Sequence, residues 1–378
     1  MHGFLREALL PGPRGEYGGG WRVWRAAMPI LGISLVAAGL MTTSATVAQE
    51  TSAAADRAML DYASTKDSVR LPDGRTLHLV CMGQGSPVVI LMGGANGWSG
   101  GWNRVQHAVA TKTRVCAWDR ANYGLSSGTF KPQTVDQSTT DLQAALKARR
   151  IAGPYVVVGE SLGGLESLLL ADREPSKVVG MVLLDPSFPD QNPRQRRAAP
   201  ELMAWDRAHP PPFIPFLQKC AAALRAGTVR PGGPDPDGCL RPPPWPPDYP
   251  PQLRAALDKA LAQASPGSRA SAMEGSSMEL NSKIAIKPGR NYGRMPLIVL
   301  TAGIVQGAPN LPPDMKTEVP LVQAEWRHAH EELAALSSRG VDRVVPDSSH
   351  DIEHTRPQVV IDAIEEVVDQ ARGSTPPR

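Results

Sequence analysis

This 378-residue chain has little excess charge, few cysteines and no long apolar run. Its 40 basic and 37 acidic side chains leave a formal charge of only +3, spread along the chain. Nucleic-acid binding needs a basic stripe or patch, and none is written here. The four cysteines, Cys81, Cys116, Cys220 and Cys239, form no C-x-x-C pair, and no Cys/His spacing suggests zinc. The apolar run from Ile30 to Met41 falls short of the about 20 residues that span a bilayer.

That run has a different meaning in its context. Arg22 and Arg25 precede it, and small residues ending in Thr46-Val47-Ala48 follow it. A basic flank, a short apolar core and a small-residue site describe a signal peptide over residues 1–48. An uncleaved anchor over residues 30–48, with membrane association through it, is the competing reading. Export predicts a secreted or extracytoplasmic protein, where disulfides persist. Free buried thiols are the alternative for Cys81 and Cys116, which sit in strand-like segments.

What is plentiful is proline, with 37 residues, and 42% of the chain is hydrophobic. Thr76 to Val80, Pro87 to Met92, Arg114 to Trp118, Tyr155 to Gly159, Val178 to Leu184 and Pro296 to Thr301 read as strands, several of them apolar on both faces. Helical patterns at Val105 to Ala110, Gln137 to Arg150 and Leu321 to Ser337 alternate with them. A short strand at Arg343 to Val345 and a helix opening at Thr355 close the chain. This alternation predicts an α/β fold of three layers, a mostly parallel sheet with helices on both faces. Between Pro186 and Pro288 the pattern changes. Proline tracts at 210–212, 242–247 and 250–251 interrupt helical pieces at Glu201 to Ala208, Phe216 to Arg225 and Gln252 to Gln263. The division that follows is core over 49–186, an inserted cap over 187–288 and core again over 289–378. A disordered linker is the alternative for the middle part.

One stretch carries chemistry. Val156-Val-Val-Gly-Glu-Ser-Leu-Gly-Gly164 runs from a strand into a helix and contains G-x-S-x-G centred on Ser161. A strand that turns at once into a helix forces residues 159 and 163 together, and only small side chains fit there. A serine hydroxyl needs a base. Of the eight histidines, His350 lies in a loop between the last strand and the last helix, with His354 ranked behind it. His328 and His330 fall inside a helical pattern and read as surface residues, and His78 and His107 read as structural.

These residues resemble the α/β-hydrolase superfamily, in particular its lidded esterase-like and lipase-like members, over residues 75–186 and 290–370. Asp119-Arg120 through Gly124 and Ser126 is similar to an Asp-Arg-x-Gly-x-Gly-x-Ser stretch, with Asn122 where glycine is usual. Gly93-Gly94-Ala95 is similar to a His-Gly-x loop, with Gly93 in place of the histidine, and Glu160 before the serine is a second departure. The resemblance implies that Ser161 is a nucleophile, His350 its base, and the Ala95 and Leu162 amides an oxyanion hole. It leaves the acid open. The segment Ala302 to Ala308, after the strand that usually carries it, has no carboxylate. Asp185, at the end of the strand after the elbow helix, is the first choice. Asp314 is the alternative, with Asp190 and Glu325 behind. The family's sheet order also makes the strands of Cys81 and Cys116 neighbours, which implies a Cys81–Cys116 bridge, with Cys220–Cys239 inside the cap.

The expected protein is an exported serine hydrolase that cleaves a small-molecule carboxylic ester with an apolar acyl part, without metal or organic cofactor and without a nucleic-acid partner. A serine at the elbow argues against haloalkane dehalogenase or epoxide hydrolase chemistry. An amidase, peptidase or cofactor-free C–C hydrolase is the rival on the same fold, and a non-catalytic binding protein is the rival from another class.

Overall fold

The computed structural model describes residues 58–95, 97–210, 213–230, 232–240, 245–246, 249–263, 277–304 and 311–374. The segment expected to be a signal peptide or anchor lies outside the described residues, as do most of the 242–247 proline tract and residues 305–310.

Strands β1 (Ser68–Arg70), β2 (Thr76–Met82) and β3 (Val88–Met92) lead to helix α1 (Asn103–Val109). Then come β4 (Val115–Trp118), α2 (Val135–Ala148), β5 (Tyr155–Glu160), α3 (Leu162–Arg173) and β6 (Val178–Leu184). Five helices follow without a strand among the described residues: α4 (Gln191–Ala198), α5 (Pro200–Ala208), α6 (Phe213–Arg225), α7 (Pro251–Gln263) and α8 (Met278–Ile284). The chain ends with β7 (Leu297–Ala302), α9 (Val319–Ala334), β8 (Gly340–Val345), α10 (Ile352–Thr355) and α11 (Pro357–Ser374). The eight strands make one sheet in the order β1-β2-β4-β3-β5-β6-β7-β8. β1 and β2 are antiparallel to their neighbours, and β4 through β8 run parallel.

The layers follow from the two-residue period of a strand. Val89 and Leu91 of β3, Val156 and Val158 of β5, and Ile298 and Leu300 of β7 face a core closed by α1 and α11. Their neighbours Ile90 and Met92, Tyr155 and Val157, and Leu297 and Val299 face the opposite core, closed by α2, α3 and α9. A strand buried on both faces must be apolar throughout, as β3 is in Val-Val-Ile-Leu-Met. The α/β expectation holds strand by strand. The three-residue edge strand β1 was not foreseen, being too short to show a period.

Pro200, Pro215 and Pro251 do not interrupt the helices they belong to, because they stand where those helices begin. α5 opens at Pro200, α7 at Pro251, and Pro215 lies in the first turn of α6, positions whose N–H has no intrahelical acceptor anyway. α4 and α8 were not foreseen. α7 packs Leu253 and Leu257 against Met59 and Leu125, so this part of the segment carries apolar contacts that a linker lacks.

Both implied disulfides are formed. Cys81 and Cys116 face each other across β2 and β4, with Cα atoms 4.0 Å apart. Cys220–Cys239 joins α6 to the loop after it and forms a small core with Val229. Non-reducing peptide mapping should recover these two bridges and no free thiol. Cys220→Ser with Cys239→Ser should lower stability by about 3 kcal/mol, the loop-closure value for a short loop; an unchanged melting temperature would count against it.

Candidate active site

Ser161 sits between β5 and α3 with φ 51° and ψ −116°, a left-handed backbone that costs a non-glycine residue about 1–3 kcal/mol. Neighbouring backbone enforces it. Ser161 N donates to Leu184 O at 3.0 Å, while its carbonyl accepts from Gly164 N at 3.0 Å and Ser187 N at 2.8 Å. Glycine is required on either side: a Cβ at Gly159 would lie 2.3 Å from Gly163 O, and one at Gly163 would lie 2.1 Å from Met92 O. The elbow helix thus rests directly on the end of β3 and the loop after it.

Asp185 ends β6, also at positive φ (38°), with its N–H on Leu300 O at 2.7 Å. Its Oδ2 meets His350 Nδ1 at 2.6 Å. Its Oδ1 accepts from Trp326 Nε1 at 2.9 Å and from the Ala302 N–H at 3.1 Å. Burial favours the neutral acid, but the His350 hydrogen bond and charge, His330 and Trp326 outweigh it and hold the carboxyl below its ordinary range. The strand end that lacks a carboxylate therefore contributes a backbone amide to the carboxylate of its neighbour. Asp314 is exposed at the head of a 3-10 turn, Glu325 pairs with Arg194 and Asp190 with Arg197. The Nδ1 side of His350 is taken by Asp185.

His350 is 9% exposed, in the loop between β8 and α10. Its Nε2 lies 3.5 Å from Oε1 of Glu160, the residue before Ser161. Burial works against the charged ring; Asp185, Glu160 and Asp351 more than offset it and raise the pKa to about 9. Burial lifts Glu160 to about 7, against the pull of His350, the Gly94 N–H and Arg120. Glu353, on α10, is pushed well above its usual value by burial and by the charges of Glu160 and Asp351. Its Oε2 has no hydrogen-bond partner among the described residues, which fits a neutral carboxyl.

The remaining histidines divide as follows. His354 has a half-exposed side chain, 3.5 Å from Glu353 Oε1, and takes no part in the Asp185 contact. His328 is exposed. His330 corrects the expectation of a surface residue: it is wholly buried, with Nδ1 2.7 Å from Thr301 Oγ1 and Nε2 3.0 Å from Pro186 O. The signal was present, because Trp326, Ala329, His330 and Leu333 share one helical face. His78 is structural: its Nδ1 lies 3.0 Å from Asp119 Oδ2, inside a turn where Asp119 also accepts from Ser99 N and Leu125 N. Asn122 takes φ 73° where the resembling stretch has glycine, a left-handed position that asparagine tolerates.

Arg120 was named from the sequence only as part of the stretch that resembles Asp-Arg-x-Gly-x-Gly-x-Ser, with no role of its own. Its guanidinium binds Glu166 of α3 through Nε and Nη2, each at 2.7 Å, and the carbonyls of Gly93 and Gly94. Leu162 is the first residue of α3, and Ala95 packs beside it with Leu165 and Ile284.

A family described as alpha/beta hydrolase fold matches residues 87–211. An uncharacterized protein of Bacillus subtilis, YqjL, is 23% identical over 298 residues, covering 78% of this chain and 89% of that one. Lipase LipV of Mycobacterium tuberculosis is 32% identical over 170 residues, 40% of this chain and 64% of the lipase. A solved epoxide hydrolase from hot-environment metagenomes superposes with a TM-score of 0.52 at 20% identity, over 79% of this chain and 97% of that one; at that identity the likeness speaks for the fold alone. Sheet order, elbow backbone and the match over residues 87–211 agree, and the chain has the α/β-hydrolase fold.

Proposed function

We propose that this α/β-hydrolase is an exported serine hydrolase that cleaves carboxylic esters through an acyl-enzyme. The observation that carries the reading is the 2.6 Å contact of His350 Nδ1 with Asp185, with Nε2 turned toward the elbow at Glu160. Ser161 Oγ attacks the ester carbonyl while its proton passes to His350 Nε2. The ring then returns that proton to the leaving alcohol, and a water repeats the sequence to release the acid. Asp185 keeps the ring oriented and stabilises its charged form. The amides of Leu162 and Ala95 face the developing oxyanion, each such donor being worth about 3–4 kcal/mol of barrier.

A mycobacterial relative carries the name lipase, which supports an apolar acyl part. Residues 187–288 serve as the cap in this reading. Two disulfides support an oxidising compartment, in keeping with a signal peptide or anchor over residues 1–48. A panel of esters of graded acyl length, run beside matched amides, tests the ester reading; faster amide turnover would replace it with an amidase.

Ser161→Ala should abolish fluorophosphonate labelling and reduce kcat by several orders of magnitude, as loss of a triad nucleophile does; labelling that survives would move the nucleophile elsewhere. Ser161→Gly should be equally inactive yet raise the melting temperature, because glycine adopts φ 51° without strain.

Asp185→Asn should lower kcat by about 10⁴-fold, on the scale of the same change in a serine protease, and Asp314→Asn should leave it near wild type. Comparable losses in the two variants would reject Asp185 as the acid.

The base must be neutral to accept a proton, so a ring raised to about 9 puts the rising limb of kcat/KM at alkaline pH, above the ordinary histidine range. Glu160, lifted to about 7, is an anion across that limb and resists loss of the ring's proton. Glu160→Gln should therefore shift the limb toward lower pH. A limb that stays in place, or moves upward, would separate Glu160 from the base.

A further inference from the structure

Arg120 is buried beside the elbow but is neither part of the acid–base pair nor an oxyanion donor. It is held by both oxygens of Glu166, which also accepts from Ser138 Oγ at 2.5 Å. Buried ion pairs of this kind add little net stability, because desolvation offsets the attraction. The rest of its hydrogen bonding concerns the loop after β3. Nη2 donates to Gly93 O, and Nη1 donates to Gly94 O at 2.7 Å.

The two peptides of that loop are trans, with C=O and N–H on opposite edges. In the Gly93–Gly94 peptide both edges are occupied: the carbonyl lies on Arg120 and the N–H on the Glu160 carboxyl. Arg120 and Glu160 therefore stand on opposite sides of the loop. Gly94 leaves room for this, since a Cβ there would lie 2.3 Å from Glu160 Oε2. The next peptide, Gly94–Ala95, has its carbonyl on the same guanidinium and on the Gly97 N–H at 2.9 Å, so the Ala95 N–H is turned away from Arg120. We propose that Arg120 is the positioning residue of the oxyanion site: it holds the Gly94 carbonyl so that the Ala95 N–H faces the Ser161 side of the loop. Glu166 lies one turn beyond Leu162 on α3, so the ion pair ties the loop donor to the helix that carries the other donor. This rests on the serine-hydrolase reading.

The test uses the full chain, a p-nitrophenyl ester, and a trifluoromethyl ketone whose adduct with the serine carries an oxyanion. Arg120→Met should lower kcat about 100-fold, near the loss of one oxyanion donor. KM should stay within about twofold, as for an interaction made only in the transition state, and ketone affinity should fall by the same factor as kcat. Arg120→Lys keeps the charge against Glu166 but cannot fork to two carbonyls, so it should show a smaller loss with the same signature. Unchanged kcat and ketone affinity in a folded Arg120→Met protein, or a change confined to KM, overturns the proposal. Should Arg120→Met fail to fold, the same criteria applied to Arg120→Lys decide. A wild-type protein that neither turns over esters nor takes up a fluorophosphonate removes the hydrolase reading and the proposal with it; an active wild type beside unaffected Arg120 variants removes the proposal alone.

Discussion

Everything at the candidate site depends on the close approach of backbone at Gly159 and Gly163. With no side chain at either position, α3 begins one residue after β5 ends and sits against the carbonyl of Met92. A methyl group at either glycine would overlap a carbonyl oxygen, so the helix would have to lift off the sheet. Lifting it would separate Leu162 from Ala95, Glu166 from Arg120 and Ser161 from Leu184 O. The strain at Ser161 is the local cost of this packing, and the apolar interior of β3, β5 and β6 on both faces is what sustains it.

The position of Asp185 follows from the same parallel sheet. β5, β6 and β7 are neighbours in register, so Glu160, Leu184 and Leu300 end at one edge. Asp185 leaves that edge one residue after Leu184, at positive φ, and its side chain has three donors waiting: His350, the indole of Trp326 and the Ala302 amide. A carboxylate on β7 is unnecessary when β7 supplies an N–H to the carboxylate on β6. This arrangement satisfies Asp185 so completely that burial fails to neutralise it.

How much of this could be read beforehand depended on the range of the interaction. The buried strands were legible because a strand covered on both faces must be apolar, and the elbow because its glycines are a steric necessity written four residues apart around Ser161. Asp185 was legible only as the first of four candidates: the segment Ala302 to Ala308 holds no acid, but nothing local says that Trp326 and Ala302 will serve Asp185 instead. His330 was misplaced because a histidine in a helix was weighed alone, not with the apolar residues on its face. Arg120, Glu166 and Glu353 were silent, since buried charges acquire meaning from partners that the fold brings together across dozens of residues. β1 was missed for the plain reason that three residues carry no period.

Those buried charges also explain how a site with so many carboxyls stays compact. Asp185, Glu160 and Asp351 act on His350, and Glu160 and Asp351 act on Glu353; the three buried carboxyls, Asp185, Glu160 and Glu353, would repel one another strongly if all were anions in a poorly solvated site. The site divides the load by environment. Asp185 has three hydrogen-bond donors and remains an anion. Glu353 has an oxygen with no hydrogen-bond partner among the described residues, and burial pushes its carboxyl well above the usual range. Glu160 stands between, with one backbone N–H and two cations near it, and is poised at about 7. Its charge therefore follows that of His350: when the ring is protonated, the anion is favoured, and when the ring is neutral, the acid is less costly. The carboxyl at position 160, where the sequence departs from the stretch it resembles, thus acts on the electrostatics of His350 and on the hydrogen bonding of the Gly94 amide together, because it touches both.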